Sequence, residues 1–170
     1  RYLVALAVLA GSAAMADTYR FEWQGAGGYS MRGAVAFDPE ALETGFLLTE
    51  ADVDCFEIEG FRDGVPIGRW ALGMITEETT WILTFDPSEP AFVASGPEYS
   101  MPQAWNMDGR GENCGEGGFG FNLGSFAQDL CLDNTLIVES QVPPPTDFPA
   151  IPAPGHVFEP DACRGVLVIS

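Results

Sequence analysis

Lysine is missing from this 170-residue chain, and cations of any kind are scarce: seven arginines and one histidine stand against 25 aspartates and glutamates, for a formal net charge of −18 at pH 7. Without lysine there is no Schiff-base chemistry through a lysine side chain. A field of this sign repels phosphate backbones and anionic lipid surfaces, which argues against nucleic-acid binding and electrostatic membrane attachment and leaves cationic partners and divalent cations compatible. Keeping an exported protein soluble is the simplest use of the acids. The lone histidine, His156, lies in a proline-rich stretch and no G-x-S-x-G is present, so a Ser-His-Asp hydrolase has no visible nucleophile and base. His156 with Glu159 and Asp161 would make a metal corner, but a surface histidine is the simpler reading.

Helical periodicity is also lacking. No amphipathic pattern of three turns can be found, and beyond residue 16 no apolar run is long enough to span a membrane. Paired C-x-x-C spacings are missing as well: Cys55, Cys114, Cys131 and Cys163 match no zinc pattern. In an exported chain four cysteines read as two disulfides, and proximity in sequence favours Cys114 with Cys131, leaving Cys55 with Cys163 to tether the C-terminus.

Export is what the first residues suggest. An apolar core from Tyr2 to Ala10, then Ala14 and Ala16 ahead of Asp17, has the form of a secretory signal peptide over residues 1–16 with cleavage after Ala16. Residues 17–170 are then one domain with a periplasmic or extracellular destination and no membrane span.

That domain consists of short apolar or alternating segments broken by Gly, Pro and Asp. Tyr19, Phe21 and Trp23 alternate with Arg20 and Glu22, the pattern of a half-buried strand, and Gly33–Asp38 follows as its hairpin partner. Pro39–Asp54 is the one place for helical turns, with Thr49 as a cap. In Cys55–Glu59 the cysteine faces away from Phe56 and Ile58. Val65–Leu72, Thr80–Asp86 and Ala91–Ser95 read as further strands, 96–113 as irregular, and Ser125–Gln141 as a strand pair turning at Asp133-Asn134. Val142–Pro160 holds seven of the 13 prolines, which predicts an extended connector outside the sheet, followed by a last strand in the closing apolar run. Nine or ten strands with almost no helix predict an all-β fold: an antiparallel β-sandwich or a Greek-key, jelly-roll-like barrel with long irregular loops.

The stretch from Asp108 to Asn134 is the richest in candidate ligands, with two cysteines, many glycines and oxygen side chains. Calcium takes six to eight oxygens on flexible glycine-rich loops, so Asp108, Glu112, Asn113 and Glu116 form a candidate calcium site. Gly117–Asn122 matches one unit of the G-G-x-G-x-D calcium repeat, with Asn122 in place of Asp. A plain strand is the simpler reading: Phe119, Phe121 and Leu123 bury one face and Gly118, Gly120 and Asn122 leave the other bare. Trp105 and Tyr99, in the irregular region, are candidate platforms for stacking on a glycan. Paired carboxylates could hydrolyse glycosides, but nothing singles out one pair among so many acids.

The order Y-x-F-x-W-x-G, G-x-V-x-F-D and L-T-E-A-D-V-x-x-F-x-I-x-G, over Tyr19–Gly60, resembles the N-terminal β domain of uncharacterised exported bacterial proteins, including some with a PEP-CTERM sorting tail. No P-E-P tripeptide or terminal span follows here, and the resemblance implies no catalytic residue. The expectation is an exported, disulfide-stabilised β module with a binding or structural role; the alternative is a carbohydrate-binding or carbohydrate-hydrolysing domain.

Overall fold

The computed structural model describes residues 17–94 and 100–164, so the expected signal peptide, Tyr99 and the closing apolar run lie outside the described residues. Strands β1 (Thr18–Gln24) and β2 (Tyr29–Phe37) make the expected hairpin, burying Tyr19, Phe21 and Trp23 and exposing Arg20, Glu22 and Gln24. After β2, Asp38 accepts a hydrogen bond from the Glu40 amide (2.8 Å) and caps one helical turn, α1 (Pro39–Leu42). A short β3 (Leu48–Thr49) leads into a 3-10 turn at Glu50–Asp52, closed where the Thr49 amide and hydroxyl both donate to the Asp52 carboxylate. Both turns fall inside the one segment expected to hold them.

Strand β4 (Val53–Arg62) turns through Asp63 and Gly64, both at positive φ, into β5 (Val65–Ala71). The expected single strand at Thr80–Asp86 is split into β6 (Thr80–Ile82) and β7 (Thr84–Asp86), which join different sheets, with Leu83 fully buried at the switch. Two-residue β8 (Ala91–Phe92) follows, then β9 (Gln103–Met107), β10 (Phe119–Leu123), β11 (Gln128–Leu132), β12 (Thr135–Val142) and β13 (Ala150–Pro152). Asp133 and Asn134 both take positive φ between β11 and β12, as a two-residue hairpin turn requires.

The fold is all-β. Two five-stranded antiparallel sheets, in the orders β13-β1-β2-β4-β5 and β12-β11-β10-β9-β6, pack face to face, and the small sheet β3-β7-β8 lies beside them. Between them is an aromatic core: Trp105 lies 5.6 Å from Phe21, 4.9 Å from Phe56, 4.8 Å from Phe121 and 5.0 Å from Phe92, centroid to centroid. Spacings of this kind belong to tilted and edge-on pairs, which add specific geometry to the large apolar area each ring buries.

Two expectations are corrected here. The region expected to be irregular contains β9, whose Trp105 is at 0 % exposure in the centre of the core. The proline-rich connector does not stay outside the sheet: β13 pairs along β1, and Phe148 just before it is buried among Phe21, Phe92 and Trp105. Prolines at 149 and 152 are tolerated because β13 is an edge strand, where a missing N–H need not break a ladder.

Candidate functional site

Register turns the polar residues of the first sheet into ordered rows on its outer face. One row reads Glu22, Arg32, Glu59, Arg69 across β1, β2, β4 and β5, alternating in charge at every step. The next reads Ile151, Arg20, Ala34, Glu57, Ala71 from β13 to β5. Opposite charges facing each other across a ladder attract, and the Arg32 guanidinium donates to Glu59 Oε2 at 2.6 Å through one terminal nitrogen and 3.2 Å through Nε.

After β13 the chain becomes a strap across this face. The Ala153 amide donates to Thr18 O at the start of β1, and His156 Nε2 lies 2.9 Å from Glu57 Oε1. Beyond the end of β5 the strap reaches β4: Phe56 N donates to Ala162 O, Arg164 N donates to Asp54 O, and Cys163 is joined to Cys55. Arg69 holds Asp161 through two parallel bonds of 2.8 and 2.9 Å, and that contact holds the Asp161 carboxyl below its ordinary value. Ala34 and Ala71 stand at outward positions yet are buried.

Strap and sheet enclose an open groove of about 970 Å³, whose walls carry Arg20, Arg32, Arg69, Glu22, Glu57, Glu59, Glu159 and His156 together with exposed Ile151 and Val157. Three of the chain's seven arginines and its only histidine thus meet in one place on an acidic protein. Among the described residues no serine, threonine or cysteine lines it. No family model, no curated protein and no solved structure matches the chain.

The second sheet is covered by the loop that the sequence marked as a calcium candidate. Cys114 is joined to Cys131, and Ala104, Met107, Cys114 and Cys131 form a second apolar cluster beneath the loop. Gly120, expected on a bare face, is therefore buried, with Trp105 O, Asn106 O and Met107 Sδ about where its Cβ would be. Asn106, at positive φ, donates from Nδ2 to Cys114 O and Phe119 O and ties the loop to its strand.

Asp108 is engaged by its own loop. Its Oδ1 accepts from the Arg110 amide (2.9 Å) and the Glu112 amide (3.1 Å), and its Oδ2 accepts from Asn113 Nδ2 (2.8 Å). Burial would raise this carboxyl, but the backbone N–H groups of Glu112, Arg110 and Gly111 outweigh it and hold it below its ordinary value. Glu112 and Glu116 are exposed, and among the described residues no group of three or more His, Cys, Asp or Glu side chains is gathered closely enough to hold a metal ion.

Trp105 offers no stacking platform, because it is enclosed by the core rings named above. Of the groove residues, sequence singled out only His156 and Glu159, as part of a metal corner. Alternation in β1 and β4 put Arg20, Glu22, Glu57 and Glu59 on outward faces, but it takes register to align them and a strap from the far end of the chain to wall them in.

Proposed function

We propose that this chain is an exported, disulfide-stabilised β module that works by binding, and that its ligand site is the groove beneath the C-terminal strap. The observation that carries this reading is the gathering of Arg20, Arg32, Arg69 and His156 with apolar Ile151 and Val157 in a groove of about 970 Å³, within the size range of small-molecule sites. Binding is favoured over nucleophilic catalysis because, among the described residues, the groove walls carry no hydroxyl or thiol beside His156. Export is supported by two disulfides, which persist in oxidising compartments, and by the apolar core from Tyr2 to Ala10 with Ala14 and Ala16 after it.

A ligand-observed NMR screen of sugars, organic acids and short peptides tests the site, with Ile151→Trp as the variant that fills the groove. Hits should bind the wild-type protein and lose affinity in Ile151→Trp, with amide shifts centred on Arg20, Ile151 and His156. Hits that map instead to the 108–116 loop, and are indifferent to Ile151→Trp, would overturn the placement. N-terminal sequencing of protein recovered outside the cytoplasm should begin at Asp17.

A further inference from the structure

We infer that the groove takes a monocarboxylate with an apolar tail, its carboxylate held by Arg20; this rests on the groove being the ligand site. Of the three groove arginines, Arg32 is bonded to Glu59 and Arg69 to Asp161, whereas Arg20 has no hydrogen bond or ion pair among the described residues. Its partners across the ladder are Ala34 and Ile151, neither of them an acid. Glu57, the acid in the same row, already accepts from His156 Nε2 (2.9 Å) and from the Glu159 amide (3.0 Å). Arg20 and His156 are also the two residues that line both the main groove and a smaller adjoining depression of about 360 Å³, so Arg20 stands where the two meet.

A guanidinium left unpaired in a chain of net charge −18 is an anion receptor by charge complementarity, and its planar fork matches a carboxylate through two parallel bonds. The same net charge disfavours ligands with several negative charges, such as phosphates and polyanions, and so selects a single carboxylate. In the same groove, Ile151, across the ladder from Arg20, is 57 % exposed and Val157 87 %, apolar surface that a short hydrocarbon or ring would cover.

Hexanoate, hexanamide and hexylammonium, titrated into the ¹⁵N-labelled protein, test this directly. Hexanoate should shift the amides of Arg20, Ile151 and His156 with a Kd on the order of 1 mM. Arg20→Gln should weaken it about tenfold or more, as loss of a charge-assisted bond does. Val157→Asp, at a solvent-exposed site, should also weaken it while leaving the melting temperature unchanged. Hexanamide or hexylammonium binding the groove as tightly as hexanoate would overturn the carboxylate class and leave the groove reading standing. Hexanoate binding unchanged in Arg20→Gln would overturn the role of Arg20. Silence of the groove toward all three probes would overturn this inference; the groove reading itself falls only if the wider screen also maps elsewhere.

Discussion

Phe119 sits where the two sheets come closest, over a pair of glycines that face each other in the ladder, Gly60 of β4 and Gly68 of β5. A Cβ built on Gly60 would stand 2.2 Å from the Phe119 ring, and one on Gly68 2.8 Å from the Phe119 Cβ, so the missing side chains are the slot that the ring fills. Gly60→Ala should destabilise by about 1–3 kcal/mol through overpacking and Phe119→Ala by about 3–5 kcal/mol through the cavity it leaves. In urea denaturation the double variant should lose less than the sum of the two, because the added methyl partly fills the space the ring vacates. Alternation alone made Phe119 a core residue, but the glycine slot depends on register between strands and could not be read from spacing.

Asp129 is the other residue whose setting sequence did not disclose. It is buried at 2 % exposure, its carboxylate accepting from Gln141 Nε2 (3.0 Å) and Asn122 Nδ2 (3.3 Å), while Asn122 Oδ1 has no partner. Burial raises the Asp129 carboxyl above its ordinary value, and the two amide bonds offset this only in part. A raised acid holds its proton longer in the folded than in the unfolded chain. Its contribution is therefore fully present below the unfolded value and is lost as pH rises through the folded one. Asp129→Asn removes the charge and can donate to the orphaned Asn122 oxygen after an amide flip. Chemical denaturation at pH 7 should find it more stable than wild type by about 1 kcal/mol, with the difference shrinking as pH falls toward about 4 and no longer changing below that.

At the scale of elements, each large sheet has its outer face crossed by a segment pinned with one disulfide. The strap over the first sheet is held by Cys55–Cys163, spanning 108 residues, and the loop over the second by Cys114–Cys131, spanning 17. If each bond acts by restricting the unfolded chain, removing the long-range one should cost about 5 kcal/mol and the local one about 3 kcal/mol. Urea titrations of the Cys55→Ser/Cys163→Ser and Cys114→Ser/Cys131→Ser proteins measure that order. The pairing was legible because Cys55 alternates with Phe56 and Ile58 and so had to face outward, toward whatever the C-terminus brought. The path of the strap was not legible. Prolines mark where a chain cannot donate, and they predicted a connector, yet the Ala150 amide bonds Pro90 O and the Phe92 amide bonds Phe148 O, so the connector bridges the small sheet to the first. Likewise Thr80–Asp86 reads as one strand because the hydrophobic pattern runs through Leu83 without a break; only the tertiary structure makes it a crossing between sheets.

For the molecule as a whole, the excess of acids was evident from composition, and its consequence is general: charges of one sign crowded onto a compact fold repel one another. Three of the seven arginines are engaged locally, Arg32 on Glu59, Arg69 on Asp161 and Arg164 on the Glu50 carbonyl, so they do little to dilute the field elsewhere. Exposed pairs of this kind are worth little individually, and screening should relieve the wider repulsion more than it weakens them. Raising NaCl from 10 to 200 mM shortens the screening length from about 30 Å to under 10 Å, less than the span of the fold. The melting temperature should rise by about 3 °C or more, corresponding to roughly 1 kcal/mol for a domain of this size. CaCl₂ at matched ionic strength separates screening from site binding. An equal rise is the signature of screening alone, whereas an excess in calcium that disappears in Glu112→Gln/Glu116→Gln would assign a specific cation site to the 108–116 loop.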